Sequence, residues 1–183
     1  MNYHNITYPD MNNGSGLRVV LWCSACSHHC VGCQNPQTWD ANSGIPFDEK
    51  AEEELFRELS KDYISGLTLT GGDPLHENNL DDILRIANKI RLLMPEKTIW
   101  LYTGYTWESI MWSRMPHPPH HSSEDFLHWN QRNEIVSKCD VLVDGRYIDS
   151  QRNIQLKYRG SENQRVIDIQ ESLKQNKVIL YCD

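Results

Sequence analysis

Cys23, Cys26, Cys30 and Cys33 fall within eleven residues, directly after the apolar, β-branched run Leu17–Trp22. The run reads as a buried strand and the cysteines as the loop that leaves it. A chain with only six cysteines in all is no disulfide scaffold, and a cluster this tight is not a set of ordinary core residues. Cys139 and Cys182 stand apart beside strand-like runs and read as small buried hydrophobes. Cys26, Cys30 and Cys33 form Cys-x3-Cys-x2-Cys, a spacing that lets one loop wrap a compact inorganic core. Zinc would need a fourth ligand, which Cys23, His28 or His29 could supply. Zinc ribbons usually separate their cysteine pairs by about 15–20 residues, far more than here. A four-cysteine iron–sulfur carrier with Cys23 as its fourth ligand is the other candidate. Spacing alone leaves these readings open.

Downstream, strands and helices alternate. Asp48 can cap a helix carrying Leu55, Phe56 and Leu59 at helical spacing, and Gly66 ends that segment before a second strand, Leu67–Thr70. Asn79–Met94 is the clearest helix, with Leu80, Ile83, Leu84, Ala87, Ile90 and Leu93 on one face and Pro95 after its end. Thr98–Tyr102 and Val141–Val143 read as further strands, with a helix capped by Thr106 and running to about Trp112 between them. Arg165–Ile169 and Val178–Tyr181 are weaker strands around a short helix, Glu171–Gln175. This order implies an α/β fold of right-handed βαβ units with a parallel sheet. The stretch Ser113–Trp129, with Pro116, Pro118, Pro119 and four histidines, is expected to be a solvated insertion loop. No linker divides the chain, so residues 1–183 are expected to form one domain.

A formal net charge of −7 is a poor basis for binding nucleic acid through phosphates. No apolar run approaches the roughly 20 residues that cross a bilayer, and Met1–Gly16 lacks the layout of a signal peptide. A cytoplasmic protein is expected, with neither nucleic acid nor membrane as partner.

Gly71-Gly72-Asp73-Pro74 directly follows the second strand. Paired glycines let the backbone approach a ligand with no Cβ in the way, and Asp73 offers an acceptor for an ammonium group. A plain strand-to-helix turn would use the same residues. Both motifs nevertheless fall at the C-terminal ends of adjacent strands, where α/β folds hold ligands.

There the sequence resembles the radical S-adenosylmethionine superfamily. The resemblance extends through Met1–His4, Asn13-Gly14-x-Gly16, Cys30–Cys33, Leu67–Leu75, Tyr102–Tyr105, Asp140–Gly145 and Arg159–Arg165 to the family that activates anaerobic ribonucleoside-triphosphate reductase. It implies a partial, open parallel β/α barrel, in keeping with a chain too short for the eight-fold barrel of about 250 residues. It also implies that Cys26, Cys30 and Cys33 hold a [4Fe–4S] cluster with one open iron, which S-adenosylmethionine chelates. Gly32, Cys33, Gln34, Gly71, Gly72 and Asp73 are the implied contacts of that ligand, with Tyr102–Gly104, Asp144 and Asn163 further around the cleft. The implied chemistry is reductive cleavage to methionine and a 5′-deoxyadenosyl radical, which takes hydrogen from a glycine of the reductase. A small reduced carrier such as flavodoxin is the implied electron source. Cys23 and the Pro/His-rich insertion depart from the family pattern, and no ligand role is carried onto Cys23. Rival readings are another small enzyme of the superfamily, such as a formate-lyase-type activator, or a zinc-binding interaction module.

Overall fold

The computed structural model describes residues 1–111 and 122–182. In chain order the elements are β1 (Asn2–Asp10), β2 (Arg18–Cys23), β3 (Ile45–Pro46), α1 (Glu49–Leu59), β4 (Gly66–Gly71), α2 (Leu80–Leu93), β5 (Thr98–Tyr102), α3 (Trp107–Met111), α4 (Ser123–Ser137), β6 (Val141–Asp144), β7 (Arg165–Asp168), α5 (Ile169–Gln175) and β8 (Leu180–Cys182). The strands form one sheet in the order β3-β1-β2-β4-β5-β6-β7-β8. Its centre, β2-β4-β5-β6, is parallel as expected. Both margins are antiparallel, which corrects the expectation of a wholly parallel sheet. At the β1 margin the reason lies in the connection. Seven residues join β1 to β2, too few for a crossover, so the chain can only fold straight back.

Alternation along each strand separates two faces. Val19, Leu21, Cys23, Leu67, Leu69, Ile99, Leu101 and Leu142 share one core with Leu55, Phe56 and Leu59 of α1, Ile83, Ile86, Ala87 and Ile90 of α2, and Ile135 and Val136 of α4. The strand residues between them face the other way, where Trp100, Val141, Val143 and Val166 form a second, smaller cluster. Helix ends follow local chemistry. Asp48 accepts from the Ala51 N–H at 3.0 Å to start α1, and Thr106 accepts from the Ser109 N–H at 3.3 Å to start α3. In α2 the buried stripe includes Ile86, whereas Leu93 is exposed.

Two elements depart from expectation. β1 is polar, with only Tyr3 and Ile6 buried and two irregularities in its register, so no alternation marks it in the sequence. The expected insertion loop, Ser113–Trp129, is helical from Ser123 onward, so Phe126 to Trp129 belong to α4. A capping box decides this start: Ser122 accepts from the Asp125 N–H, and Asp125 accepts from the Ser122 N–H. Pro116, Pro118, Pro119, His117, His120 and His121 lie outside the described residues. Among the described residues no helix is long and apolar enough to cross a membrane.

Arg18, at the start of β2, is wholly buried. Among the described residues it forms no ion pair; its donors reach Thr68 Oγ1 at 2.6 Å, Leu67 O at 2.6 Å, and Ser15 O, Thr98 O and Thr98 Oγ1 at 3.0 Å. The guanidinium lies over Trp100, 5.4 Å from the ring centroid. Burial pulls its pKa down to about 10, which leaves it charged at neutral pH. The cation is therefore held by hydrogen bonds that splice β2, β4 and β5 at their N-terminal ends. Arg18→Met should leave several buried acceptors unpaired and lower stability by at least about 3 kcal/mol. The urea midpoint measures this; an unchanged midpoint would contradict the assignment.

Candidate metal centre

The parallel strands deliver their C-terminal ends to one pocket. It is lined by Cys26, His28, Cys30, Cys33 and Trp39 after β2, Gly71–Asp73 after β4, Tyr102–Gly104 at the end of β5, and Gly145–Tyr147 after β6, with Gln164 closing one side. A larger cavity of about 350 Å³ opens at the opposite strand ends, among Ser15, Ser65, Thr98 and Asp140, and contains no cysteine. Chemistry therefore favours the smaller pocket.

The loop is built onto the strand beside it. Gly72 N–H donates to Cys23 O and Asp73 N–H to Ala25 O, both at 2.7 Å, so the turn after β4 extends the β2–β4 ladder. Asn79 Nδ2 adds bonds to Ser24 O at 2.8 Å and Asp73 O at 2.9 Å. Ala25 then takes φ +72° and His29 φ +45°, left-handed positions that swing the chain around the pocket. The three expected ligands, Cys26, Cys30 and Cys33, are half-buried in its wall. Burial pushes the Cys26 thiol up to about 11, with the main-chain N–H groups of His28 and His29 beside its sulfur acting against that. Asn35 N–H reaches Cys33 Sγ at 3.4 Å. Such N–H···S bonds stabilise thiolates and tune iron–sulfur centres.

Cys23 differs in kind. It is wholly buried with Leu21 on the helix-facing side of β2, and burial pushes its thiol up to about 12. Cys139 is likewise buried, donating to Ile135 O at 3.3 Å. Among the described residues no three His, Cys, Asp or Glu side chains gather around a point that would suit a single metal ion. A four-iron cluster makes no such demand, because each thiolate binds a different iron.

Other expected residues are distributed unevenly. Gly71, Gly72 and Asp73 line the pocket, as do Tyr102, Thr103 and Gly104. Gly32 and Gln34 lie on the exposed outer turn, Gly32 with φ +75° packed against Asp149. Asp144 is buried behind the wall, accepting from Trp107 N–H at 2.8 Å and from Arg165 Nε at 3.0 Å. Asn163 donates to Arg146 O at 2.8 Å from outside the pocket. His28, Trp39, Arg146, Tyr147 and Gln164 line the pocket without having been singled out as contacts of the bound ligand. His28 carried a signal, since it sits between two of the cysteines; Trp39 and Gln164 carried none.

The donor set fits an iron–sulfur cluster with a second ligand beside it. Three soft sulfur donors line the pocket, and the indole Nε1 of Trp39 and both ring nitrogens of His28 are buried without an aligned hydrogen bond. A buried polar atom left unpaired in its own fold is what a missing ligand leaves behind.

Comparison with known proteins agrees. Residues 12–167 match the family described as a 4Fe-4S single cluster domain. Three relatives named anaerobic ribonucleoside-triphosphate reductase-activating protein align along nearly the whole chain. The protein from Enterobacteria phage T4 is 40% identical, over 91% of this chain and 93% of its own. That from Escherichia coli K12 is 37% identical, over 91% and 97%. That from Pasteurella multocida is 37% identical, over 90% and 95%. The chain belongs to this family. Membership agrees with the geometry: the matched region begins before β2 and ends in β7, and so takes in every strand end that lines the pocket.

Proposed function

We propose that this chain is the activating enzyme of an anaerobic ribonucleoside-triphosphate reductase and works by radical S-adenosylmethionine chemistry. One observation carries the reading: three half-buried thiols share a pocket with the Gly71–Asp73 turn, while the fourth nearby thiol is sealed in the core. Cys26, Cys30 and Cys33 would hold the [4Fe–4S] cluster, and with no fourth thiolate in the pocket wall S-adenosylmethionine would be free to bind it. When bound, the cluster supplies the electron that splits S-adenosylmethionine into methionine and the 5′-deoxyadenosyl radical, which takes hydrogen from a glycine of the reductase. The chain binds, orients and shields. Gly71 and Gly72 offer main chain to the methionine moiety, Asp73 fixes their turn, and Cys33 brings the loop to the site, with Gly32 and Gln34 on the exposed turn that flanks it.

The arrangement of strands supports a partial, open β/α barrel formed by residues 1–183 as one domain. Sequential order of β2, β4, β5 and β6, with the helices packed on one face, supports the winding of a barrel over that of a doubly wound sheet. An open side suits a substrate that is a loop of another protein. The enzyme works in the cytoplasm, fed by a small reduced carrier such as flavodoxin, with no role for nucleic acid or membrane.

Anaerobic reconstitution with iron and sulfide should yield about four irons per chain, with an electron paramagnetic resonance signal of the reduced cluster that changes when S-adenosylmethionine is added. Stoichiometric tight zinc with no iron uptake would overturn the reading in favour of a zinc-binding module.

A further inference from the structure

His28 occupies an unusual place between the cluster loop and the turn after β4. Its side chain is 6% exposed, and Nε2 stands 2.8 Å from Asp73 Oδ2. The contact is close but not aligned along the ring N–H, and Nδ1 has no partner. Tyr105 meets the imidazole edge to face, centroids 4.7 Å apart. The ring also fills the space where a Cβ on residue 104 would lie, 2.3 Å from Cδ2, so only glycine fits there. A ring that merely filled space would be better apolar, since burying imidazole nitrogens is costly, and the group within reach of Nε2 is the Asp73 carboxylate.

Asp73 is the hub that makes this seat meaningful. Its Oδ1 accepts from Leu75 N–H at 2.8 Å, its Oδ2 from Gly104 N–H at 3.0 Å, and Thr103 Oγ1 lies 2.9 Å from both oxygens. The carboxylate thus joins the ends of β4 and β5, and His28 adds the loop after β2. Three strand ends are referred to one buried anion.

We propose that His28 is a positioning residue for S-adenosylmethionine: it locks the loop bearing the cluster thiolates to the carboxylate that shapes the Gly71–Asp73 turn. The inference rests on the function proposed above. By joining loop to turn, His28 sets how the loop bearing Cys26, Cys30 and Cys33 stands against the main chain of Gly71–Asp73. Loss of the imidazole should therefore loosen the ligand while leaving the cluster in place. Other orienting partners of metal ligands cost 10- to 100-fold when removed, and a similar range is expected here.

The test uses the full chain, reconstituted with iron and sulfide, as wild type, His28→Ala and His28→Gln. Iron and sulfide content, the dissociation constant of S-adenosylmethionine from titration of the reduced-cluster signal, and KM against kcat for 5′-deoxyadenosine formation are measured. His28→Ala should keep its iron, bind S-adenosylmethionine roughly 10- to 100-fold more weakly and show the loss mainly in KM. His28→Gln, whose amide N–H can face Asp73, should recover most of the affinity. Wild-type affinity in His28→Ala, loss of its cluster, or a His28→Gln variant as weak as alanine would each overturn the proposal. A wild-type chain that holds its cluster but ignores S-adenosylmethionine would instead overturn the underlying reading, before any variant is compared.

Discussion

Replacing Cys26, Cys30 or Cys33 by alanine should abolish formation of 5′-deoxyadenosine, and replacing Cys23 should leave it intact. The difference comes from where the thiols sit. Cys26, Cys30 and Cys33 line the pocket at the strand ends. Cys23 is wholly buried, one face of β2 away, with its thiol pushed up to about 12 by its apolar surroundings. A thiolate there would have to form inside the apolar core, away from the pocket lining. Were it a ligand, four thiolates would close the cluster and leave no iron for S-adenosylmethionine. Trimming Cys23 to alanine removes one small buried atom, a loss of about 1 kcal/mol that a folded domain tolerates. Product formed per cluster under a strong reductant compares the four variants. Product retained in any of the first three, or lost in folded Cys23→Ala, would refute the three-ligand assignment.

Gly72→Val should remove the cluster as well as the ligand site. Read from sequence, glycine at 72 leaves room for a bound molecule, and valine would be expected to weaken S-adenosylmethionine alone. The structure puts protein in that room. A Cβ at residue 72 would stand 2.4 Å from Ala25 O and 3.0 Å from the carbonyl carbons of Ser24 and Ala25. These are main-chain atoms of the segment that launches the cluster loop, and Ala25 already sits at φ +72°. Its carbonyl is also the acceptor for Asp73 N–H at 2.7 Å. Backbone cannot step aside as a flexible side chain can, so the loop must lift away from the turn. Iron content after reconstitution should fall to a small fraction of wild type, while far-ultraviolet circular dichroism shows the sheet and helices retained. A Gly72→Val protein with a full complement of iron would show that the loop yields.

The parts of the molecule that repeat were the parts legible in sequence. Leu80, Ile83, Ala87 and Ile90 announce α2 through their spacing, and the runs at Val19, Leu67, Ile99 and Leu142 announce the four parallel strands because burial on both faces leaves them apolar or nearly so. Cys26, Cys30, Cys33 and the Gly71–Asp73 turn stand out because their residue types are unusual at that density. β1 did not stand out, since an antiparallel strand near the sheet margin needs to bury little more than Tyr3 and Ile6. The start of α4 was hidden by the neighbouring prolines, although the Ser122–Asp125 capping box was present to be read. His28 and Trp39 join the site through three-dimensional folding of one loop, and Arg146 and Gln164 through strand order; neither relation has a period in the chain. Asp73 was legible as an acid beside a ligand turn, but its engagement by Leu75, Thr103, Gly104 and His28 was not.

The central claim is radical transfer to a second protein, and one measurement addresses it directly. The reconstituted chain, S-adenosylmethionine and a strong reductant are incubated without oxygen with the anaerobic ribonucleoside-triphosphate reductase of the same genome, and the mixture is examined by electron paramagnetic resonance. A glycyl-radical doublet on the reductase, growing with the release of 5′-deoxyadenosine and absent with Cys30→Ala, is the result expected. Cleavage of S-adenosylmethionine with no radical on the reductase at any ratio of the two proteins would contradict it.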